Sequence, residues 1–163
     1  MKIVRLVKVF LVFSVGIWGL LGTVGNLTGL PEVYDAVLEV TTMSGVPEGV
    51  GPPWRTESPF VVWTGVIAIV LGKIAALIGG GFGGALMLRH VNAPSNEFEK
   101  SKKWAVAGCG LAFGLLILSF TIFAEGTFFM FYNPRLEGAA ALAFRFAGSF
   151  ALITLFVAQS EPD

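Results

Sequence analysis

Four long apolar stretches dominate this sequence and limit what it can fold into. A helix needs about 20 mostly apolar residues to cross the hydrocarbon core of a bilayer. Two of the stretches are free of charge, and each of the others contains a single charged side chain, Lys73 or Arg145. The four stretches are residues 9–31, 58–88, 104–124 and 138–160. We therefore expect an all-α integral membrane protein, a bundle of four transmembrane helices.

Almost all of the chain belongs to these helices, so we predict a single membrane domain over residues 1–163. The segments between the helices are short, and none is large enough to fold alone. The predicted helices lie at about 8–30, 59–88, 104–132 and 138–159, with an outer loop at 31–58 and a charged linker at 89–103.

The outer loop has a pattern of its own. Apolar and acidic positions are mixed between Tyr34 and Met43, and a Gly51-Pro52-Pro53 break follows. This pattern predicts a short helix at the membrane surface at about 33–43. Beyond it we expect an irregular segment that docks Trp54 on the bundle.

The composition agrees with a membrane location and excludes other classes of protein. Apolar residues make up 55% of the chain and charged residues 13%, whereas soluble domains carry about 25% charged residues. The high hydrophobicity also excludes a disordered chain. Eleven basic residues balance eleven acidic ones, and no basic domain stands apart. We therefore expect the lipid bilayer as the surroundings and no nucleic-acid partner.

Basic residues are distributed unevenly between the two sides of the predicted bundle. Cytoplasmic segments of membrane proteins carry an excess of Lys and Arg. The N-terminus and the 89–103 linker hold seven such residues, whereas the other two loops hold only Arg55 and Arg135. The seven are Lys2, Arg5, Lys8, Arg89, Lys100, Lys102 and Lys103. Both termini are therefore predicted in the cytoplasm, with the first helix as an uncleaved signal anchor.

Glycine pairs four residues apart mark faces where two helices can approach closely. Hydrophobic attraction between helices is weak in lipid, so close backbone contact supplies much of the packing energy. We predict helix packing at Gly80 and Gly84 in the second helix and at Gly110 and Gly114 in the third. The segment 79–84 also matches GxGxxG, but no strand precedes it, and we do not interpret it as a dinucleotide site.

Three ionisable side chains lie within the predicted helices, namely Lys73, Glu125 and Arg145. Such a residue costs roughly 2.5–3.5 kcal/mol at the bilayer centre on insertion scales, so it usually faces the protein interior and finds a partner. Small or polar residues on each helical face predict that all three point inward. Glu125 and Arg145 lie at similar depth on adjacent antiparallel helices, which predicts an ion pair. We interpret Lys73, near the midplane, as a snorkelling side chain.

The sequence offers no combination of side chains for catalysis or metal binding. His90 is the only histidine and Cys109 the only cysteine. A zinc site needs three or four protein ligands, and ligation of haem by two histidines is impossible within one such chain. A Ser-His-Asp set or a Cys-His pair cannot be assembled inside the bilayer. We therefore predict no catalytic residue, no metal and no cofactor.

Several short motifs, spread over nearly the whole chain, resemble those of a known protein family. They are Asn26 at the end of the first helix, Val37-Leu38, Met43, Trp54-Arg55, Ser58-Pro59, Glu125, Phe129-x-Phe131 and Phe144-Arg145-Phe146. In these motifs the chain resembles the DUF2165 family of predicted small bacterial integral membrane proteins. The resemblance implies four helices, a bacterial cytoplasmic (inner) membrane and no assigned activity. It also implies a departure at Lys73, where the family usually carries an acidic residue.

Three classes of function are compatible with these features. The favoured one is a non-catalytic accessory or scaffold subunit that packs against a larger membrane complex, since the loops are minimal and glycine-rich faces are abundant. The expected partners are other membrane protein subunits or copies of the same chain. A small transporter or channel using Lys73, Glu125 and Arg145 is the alternative. A redox subunit that associates with quinone or haem is the second alternative.

Overall fold

The computed structural model describes residues 2–161, and all regular structure in this range is helical. The α-helices are α1 (Lys2–Thr28), α2 (Leu30–Thr41), α3 (Pro59–Ile78), α4 (Gly84–Arg89), α5 (Ser95–Ser101), α6 (Lys103–Leu116) and α7 (Pro134–Ala158). A π-helical turn, Gly79–Gly83, joins α3 to α4, and a longer π-helical segment, Ile117–Thr127, continues α6. A 3₁₀ turn, Met130–Tyr132, precedes α7.

Four helical stretches in the described range are long and apolar enough to cross a membrane, which confirms the predicted fold class. The first to fourth spans are Lys2–Thr28, Pro59–Arg89, Ser95–Thr127 and Pro134–Ala158. Each span packs against the next, and the first also contacts the fourth. The four spans therefore close into a bundle with one shared core.

The third span differs at both ends from the predicted helix over 104–132. It begins at Ser95, because part of the charged linker is itself helical. It ends at Thr127, and Phe129 then adopts a left-handed backbone conformation with φ of 55°. A non-glycine residue rarely adopts this conformation, and it turns the chain sharply. The aromatic residues that follow therefore belong to the turn and not to the helix.

The fourth span begins earlier than the predicted residue 138. Pro134 stands in the first turn of α7, where the fixed φ of proline suits a helix and its missing N–H costs nothing. The Asn133 side chain caps this end by accepting a hydrogen bond from the Arg135 backbone N–H at 3.0 Å. These local signals place the helix start ahead of the apolar stretch.

The first and second spans of the bundle are in direct contact through their backbones. A Cβ atom added to Gly16 of α1 would lie 2.7 Å from the backbone nitrogen of Gly81, and one added to Gly80 would lie 2.2 Å from that of Gly16. The first and second spans therefore touch where neither carries a side chain, as expected for lipid-embedded helices. Around this contact lies a core of small and aliphatic residues that includes Val15, Ala76 and Ala147.

The outer loop contains the helix predicted at 33–43, observed as α2 (Leu30–Thr41). Its Val37 side chain is buried against Val62 and Val66 of α3. The later part of the loop returns to the bundle as predicted, because the Trp54 indole N–H donates a hydrogen bond to the carbonyl of Thr127 at 3.1 Å. The loop is thus attached to the second and third spans.

Candidate functional site

Lys73 lies near the middle of the second span, and its side chain runs along the first span. The ammonium nitrogen lies 3.4 Å from the centroid of the Trp18 ring, within the range of a cation–π interaction. A Cβ atom added to Gly22 would lie 2.6 Å from Cδ of Lys73. Gly22 therefore leaves the space that the Lys73 stem occupies, and Trp18, one helical turn away, receives its charged end.

A cavity of about 240 Å³ opens beside this lysine. Residues from all four spans form its walls, which are mostly apolar. The lining residues are Trp18, Asn26, Ile69, Gly72, Lys73, Leu115, Leu116, Ser119, Phe120, Ala139, Leu142, Ala143 and Phe146. The only charged group among them is the ammonium of Lys73, so the polarity of the cavity is concentrated at one wall.

Two polar groups on this wall lack a hydrogen-bond acceptor in residues 2–161. The ammonium of Lys73 forms neither a hydrogen bond nor an ion pair there, and the amide nitrogen of Asn26 is buried without an acceptor. The hydroxyl of Thr23, one turn before Asn26, is also buried and unsatisfied, but Thr23 does not line the cavity. Buried polar groups in folded proteins are nearly always hydrogen-bonded. The wall therefore offers donors to an acceptor that the described chain does not supply.

The predicted ion pair between Glu125 and Arg145 is not formed. In the described part of the chain, carboxylates pair with Arg5, Lys8, Lys102 and Arg135 only. Glu125 lies in the π-helical segment, whose i→i+5 geometry departs from the α-helical phase assumed for it. Arg145 is exposed, because α7 packs through a different face that includes Ala143 and Ala147.

The exposed face of α7 around Arg145 is lined with small residues. It comprises Gly138, Ala141, Arg145, Gly148, Ser149 and Leu152. A Cβ atom added to Gly138 or Gly148 would meet nothing within 4 Å. The small residues beside Arg145, from which an interior position was predicted, therefore lie on the outside of the bundle. Within residues 2–161 the Arg145 guanidinium has no hydrogen-bond acceptor.

The four predicted packing glycines fall into different environments. A Cβ atom would clash with backbone at Gly80, and at Gly84 it would lie 3.1 Å from the Phe13 ring. At Gly110 it would make an ordinary contact with Thr154 at 3.8 Å, and at exposed Gly114 it would meet nothing within 4 Å. Within the chain, close approach therefore requires glycine in the second span and not at these two positions of the third.

The third span meets the second at a glycine that the sequence analysis missed. A Cβ atom on Gly108 would lie 2.2 Å from the Cα of Gly79, and the reverse contact is 2.3 Å. Ala105 and Ala112, at helical spacing on either side of Gly108, are also buried in this interface. The pattern of three small residues at 105, 108 and 112 is the signal that could have identified it.

A second polar region joins the N-terminus, the linker and the C-terminal end. We call Arg5, Lys8, Glu99, Lys102 and Glu161 the terminal cluster. The ammonium of Lys8 donates to Glu161 Oε1 at 2.6 Å and to the carbonyl of residue 159 at 2.9 Å. Lys102 donates to Glu99 Oε1 at 2.7 Å. All three cations and Glu161 are buried, so this cluster resembles a structural element more than an open site.

Arg5 and Glu161 extend the terminal cluster to the linker. The Arg5 guanidinium donates to the carbonyl of Ala93 at 2.6 Å and to the Ser95 hydroxyl at 3.1 Å. Burial alone would raise the pKa of Glu161, but its hydrogen bond with Lys8 and the charges of Lys8 and Lys102 outweigh this effect. The pKa of Glu161 therefore lies below its ordinary value, and the carboxylate stays ionised at neutral pH.

No group of three or more His, Cys, Asp or Glu side chains in residues 2–161 is arranged to hold a metal ion. His90 directly follows the second span, and its Nδ1 lies 2.9 Å from the carbonyl oxygen of Leu86. Cys109 is buried in the core of the bundle. Neither residue lines the cavity beside Lys73.

The four apolar spans and their glycine contacts define a multi-span helical membrane protein. The chain belongs to the DUF2165 family of predicted small integral membrane proteins, whose sequence model matches residues 4–160. The comparison with curated proteins finds no match, and the comparison with solved structures finds none. The family therefore places the chain in a membrane.

Proposed function

We propose that this protein is a non-catalytic accessory subunit that docks the exposed face of α7 against a transmembrane helix of a larger complex. The observation that carries this proposal is Arg145. It lies about 16 Å along the helix from Pro134, at the 1.5 Å rise of each residue, and so near mid-span. A lipid-exposed arginine at that depth costs roughly 2.5–3.5 kcal/mol or more. A partner carboxylate would remove much of this cost.

The residues around Arg145 support a close helical partner. Gly138, Ala141, Gly148 and Ser149 share its face and project little beyond the backbone. Such small residues let two helices approach until van der Waals contacts and interhelical hydrogen bonds stabilise the pair. The partner therefore carries Asp or Glu at mid-depth, flanked by small or apolar residues.

We also propose the orientation of the protein, with both termini on the cytoplasmic side of a bacterial inner membrane. The terminal cluster ties the start of α1 to the residues after α7, which supports one common side for the two ends. The excess of Lys and Arg at that end supports the cytoplasm as that side.

A photo-crosslinking amino acid at Ser149 tests the docking face in membranes of the source organism. We expect a discrete adduct with a transmembrane segment that contains an acidic residue, and we expect Arg145→Met to abolish it. The matched control position is Leu20, which is 47% exposed on the first span and outside the proposed face. A crosslinker there should give no such adduct.

Charge exchange makes the test specific to the pairing. Arg145→Glu should break the association, and a Lys in place of the partner's acidic residue should restore it. An adduct made of two copies of this chain would show self-association and would contradict the accessory role. Adducts with lipid alone, unchanged by Arg145→Met, would contradict docking altogether.

A further inference from the structure

We propose that the cavity beside Lys73 binds the ring of a quinone-type molecule, a membrane-soluble compound with carbonyl oxygens on a flat apolar ring. The cavity lies within the bundle, and each of the four spans contributes to its walls. It is separate from the docking face of α7, so the two proposals stand on different observations.

The donors on the cavity wall support a ligand with acceptor oxygens. Lys73 presents an ammonium group that has no acceptor in residues 2–161, and the Asn26 amide nitrogen is buried without one. Ser119 adds a hydroxyl to the lining. Quinone carbonyls only accept hydrogen bonds, so their chemistry matches a wall that mainly donates.

The remaining walls support a flat apolar ring. Trp18, Phe120 and Phe146 line the cavity together with aliphatic side chains. The Trp18 ring is held in place by Phe146, at 5.1 Å between centroids, and by Phe150, at 4.8 Å. A volume of about 240 Å³ lies just below the range of about 300–1,000 Å³ for sites of drug-sized ligands. It suits one ring, with an isoprenoid tail leaving toward the lipid.

The setting of Lys73 favours a neutral carbonyl over a carboxylate. The Trp18 ring at 3.4 Å already stabilises the positive charge, so the ligand does not have to be an anion. A carboxylate would also lose its hydration on moving from the interface to mid-membrane. Quinones are neutral and dissolve in the apolar interior, so they meet the cavity at its own depth.

Binding is measured on the full chain in phosphatidylcholine nanodiscs, with ubiquinone-1 as the probe. A ligand that binds only the folded state raises the unfolding temperature in a concentration-dependent way. We expect a saturable rise for the unsubstituted protein. Photolabelling with an azido derivative of the same quinone should modify peptides that contain the cavity lining.

Two substitutions remove different parts of the site. Lys73→Met removes the donor and should weaken binding by about ten- to a hundredfold, the range for a hydrogen bond to a charged group. Ala139→Phe keeps Lys73 but fills the cavity from an exposed position of α7, and it should abolish binding. Lys100→Met removes an exposed lysine in the first turns of the third span, away from the cavity, and serves as the matched control, with unchanged affinity.

Decanoate, which carries a carboxylate, tests in the same assay whether the cavity prefers an anionic acceptor to a quinone carbonyl. Tighter binding of decanoate than of ubiquinone-1, lost in Lys73→Met, would assign the cavity to a carboxylate and overturn the quinone proposal. Equal affinities for Lys73→Met and Lys100→Met would also overturn it, as would a cavity that takes up water only and gives no saturable shift. If Lys73→Met fails to fold, the proposal depends on Ala139→Phe, and unchanged quinone binding by that variant would overturn it.

Discussion

Lys8 and Glu161 are 153 residues apart in the chain, yet the Lys8 ammonium lies 2.6 Å from the Glu161 carboxylate. Both side chains are almost fully shielded, with 3% and 2% of their surface exposed. This contact fixes the first span relative to the end of the fourth. It is also the centre of the terminal cluster, so the stability of the whole bundle is expected to depend on it.

Glu161→Gln should destabilise the protein by about 3–5 kcal/mol, the cost of leaving a buried charge without its partner. The penalty is smaller if the unfolded chain in detergent supplies other partners. The measurement is the unfolding midpoint in a detergent titration. Glu97→Gln, at an exposed position of the same membrane side, is the control and should change stability by less than about 0.5 kcal/mol. Equal effects of the two substitutions would contradict the structural role of Glu161.

Low pH should remove the stabilisation that the ionised Glu161 carboxylate provides. The pKa of Glu161 in the folded protein lies below its ordinary value of about 4.5. A carboxyl group with a depressed folded pKa stabilises the protein above the ordinary pKa, and this stabilisation is lost as the pH falls toward the folded pKa. The difference in unfolding midpoint between the unsubstituted protein and Glu161→Gln should therefore be constant near neutral pH and shrink below about pH 4.5. A difference independent of pH down to pH 2 would show that the charge is not responsible.

Two glycine substitutions should have opposite effects. Gly80→Ala places a Cβ 2.2 Å from the Gly16 backbone, so the first two spans must separate, at a cost of about 1–3 kcal/mol or more. Gly114→Ala adds a Cβ that meets nothing within 4 Å and improves helix propensity by about 0.5–1 kcal/mol. Thermal unfolding of the two variants compares them directly. A stable Gly80→Ala protein would disprove the backbone contact.

Glu125→Gln and Arg145→Gln should act independently. Since the two side chains form no ion pair in the structure, the effects on stability should add within about 0.3–0.5 kcal/mol in the double variant. The double-mutant cycle is measured by unfolding in detergent. A coupling above about 1 kcal/mol would show that the residues meet in the membrane after all.

The proposed orientation can be checked with cysteine labelling. A membrane-impermeant maleimide should modify Glu48→Cys in intact cells and should not modify Lys100→Cys. Both positions are exposed, whereas the neighbouring Ser101 is buried and unsuitable as a probe. The native Cys109 is buried and should stay unmodified. The reverse labelling pattern would mean that the termini lie outside.

The four spans follow from local rules and could be predicted, because an apolar stretch of the right length has few alternatives to a transmembrane helix. The GxxxG pair at Gly80 and Gly84 likewise predicts close packing, but the sequence does not say which residue approaches Gly80, and the similar pair at Gly110 and Gly114 makes no close contact within the chain. The cavity beside Lys73 could not be predicted, because it is formed by four spans whose relative rotations no single stretch encodes.

The surroundings of Arg145 and Glu161 could not be predicted from the sequence. The small residues beside Arg145 indicate a helix contact but do not say whether the contacting helix belongs to the same chain. Glu125 also lies in a π-helical segment. Its side chain therefore points in a different direction from the one that an α-helix would give it, and the predicted ion pair assumed an α-helix. No role is assigned to Glu161 from the sequence, although the predicted topology places it on the same side of the membrane as Arg5 and Lys8.

The terminal cluster joins residues that are synthesised far apart in time. Glu161 is added by the ribosome 153 residues after its ion-pair partner Lys8. While the intervening residues are made, the first span lacks the carboxylate that neutralises Arg5 and Lys8. A product that ends before residue 161 would keep the four hydrophobic spans but lack the ion pairs that join the first span to the end of the fourth.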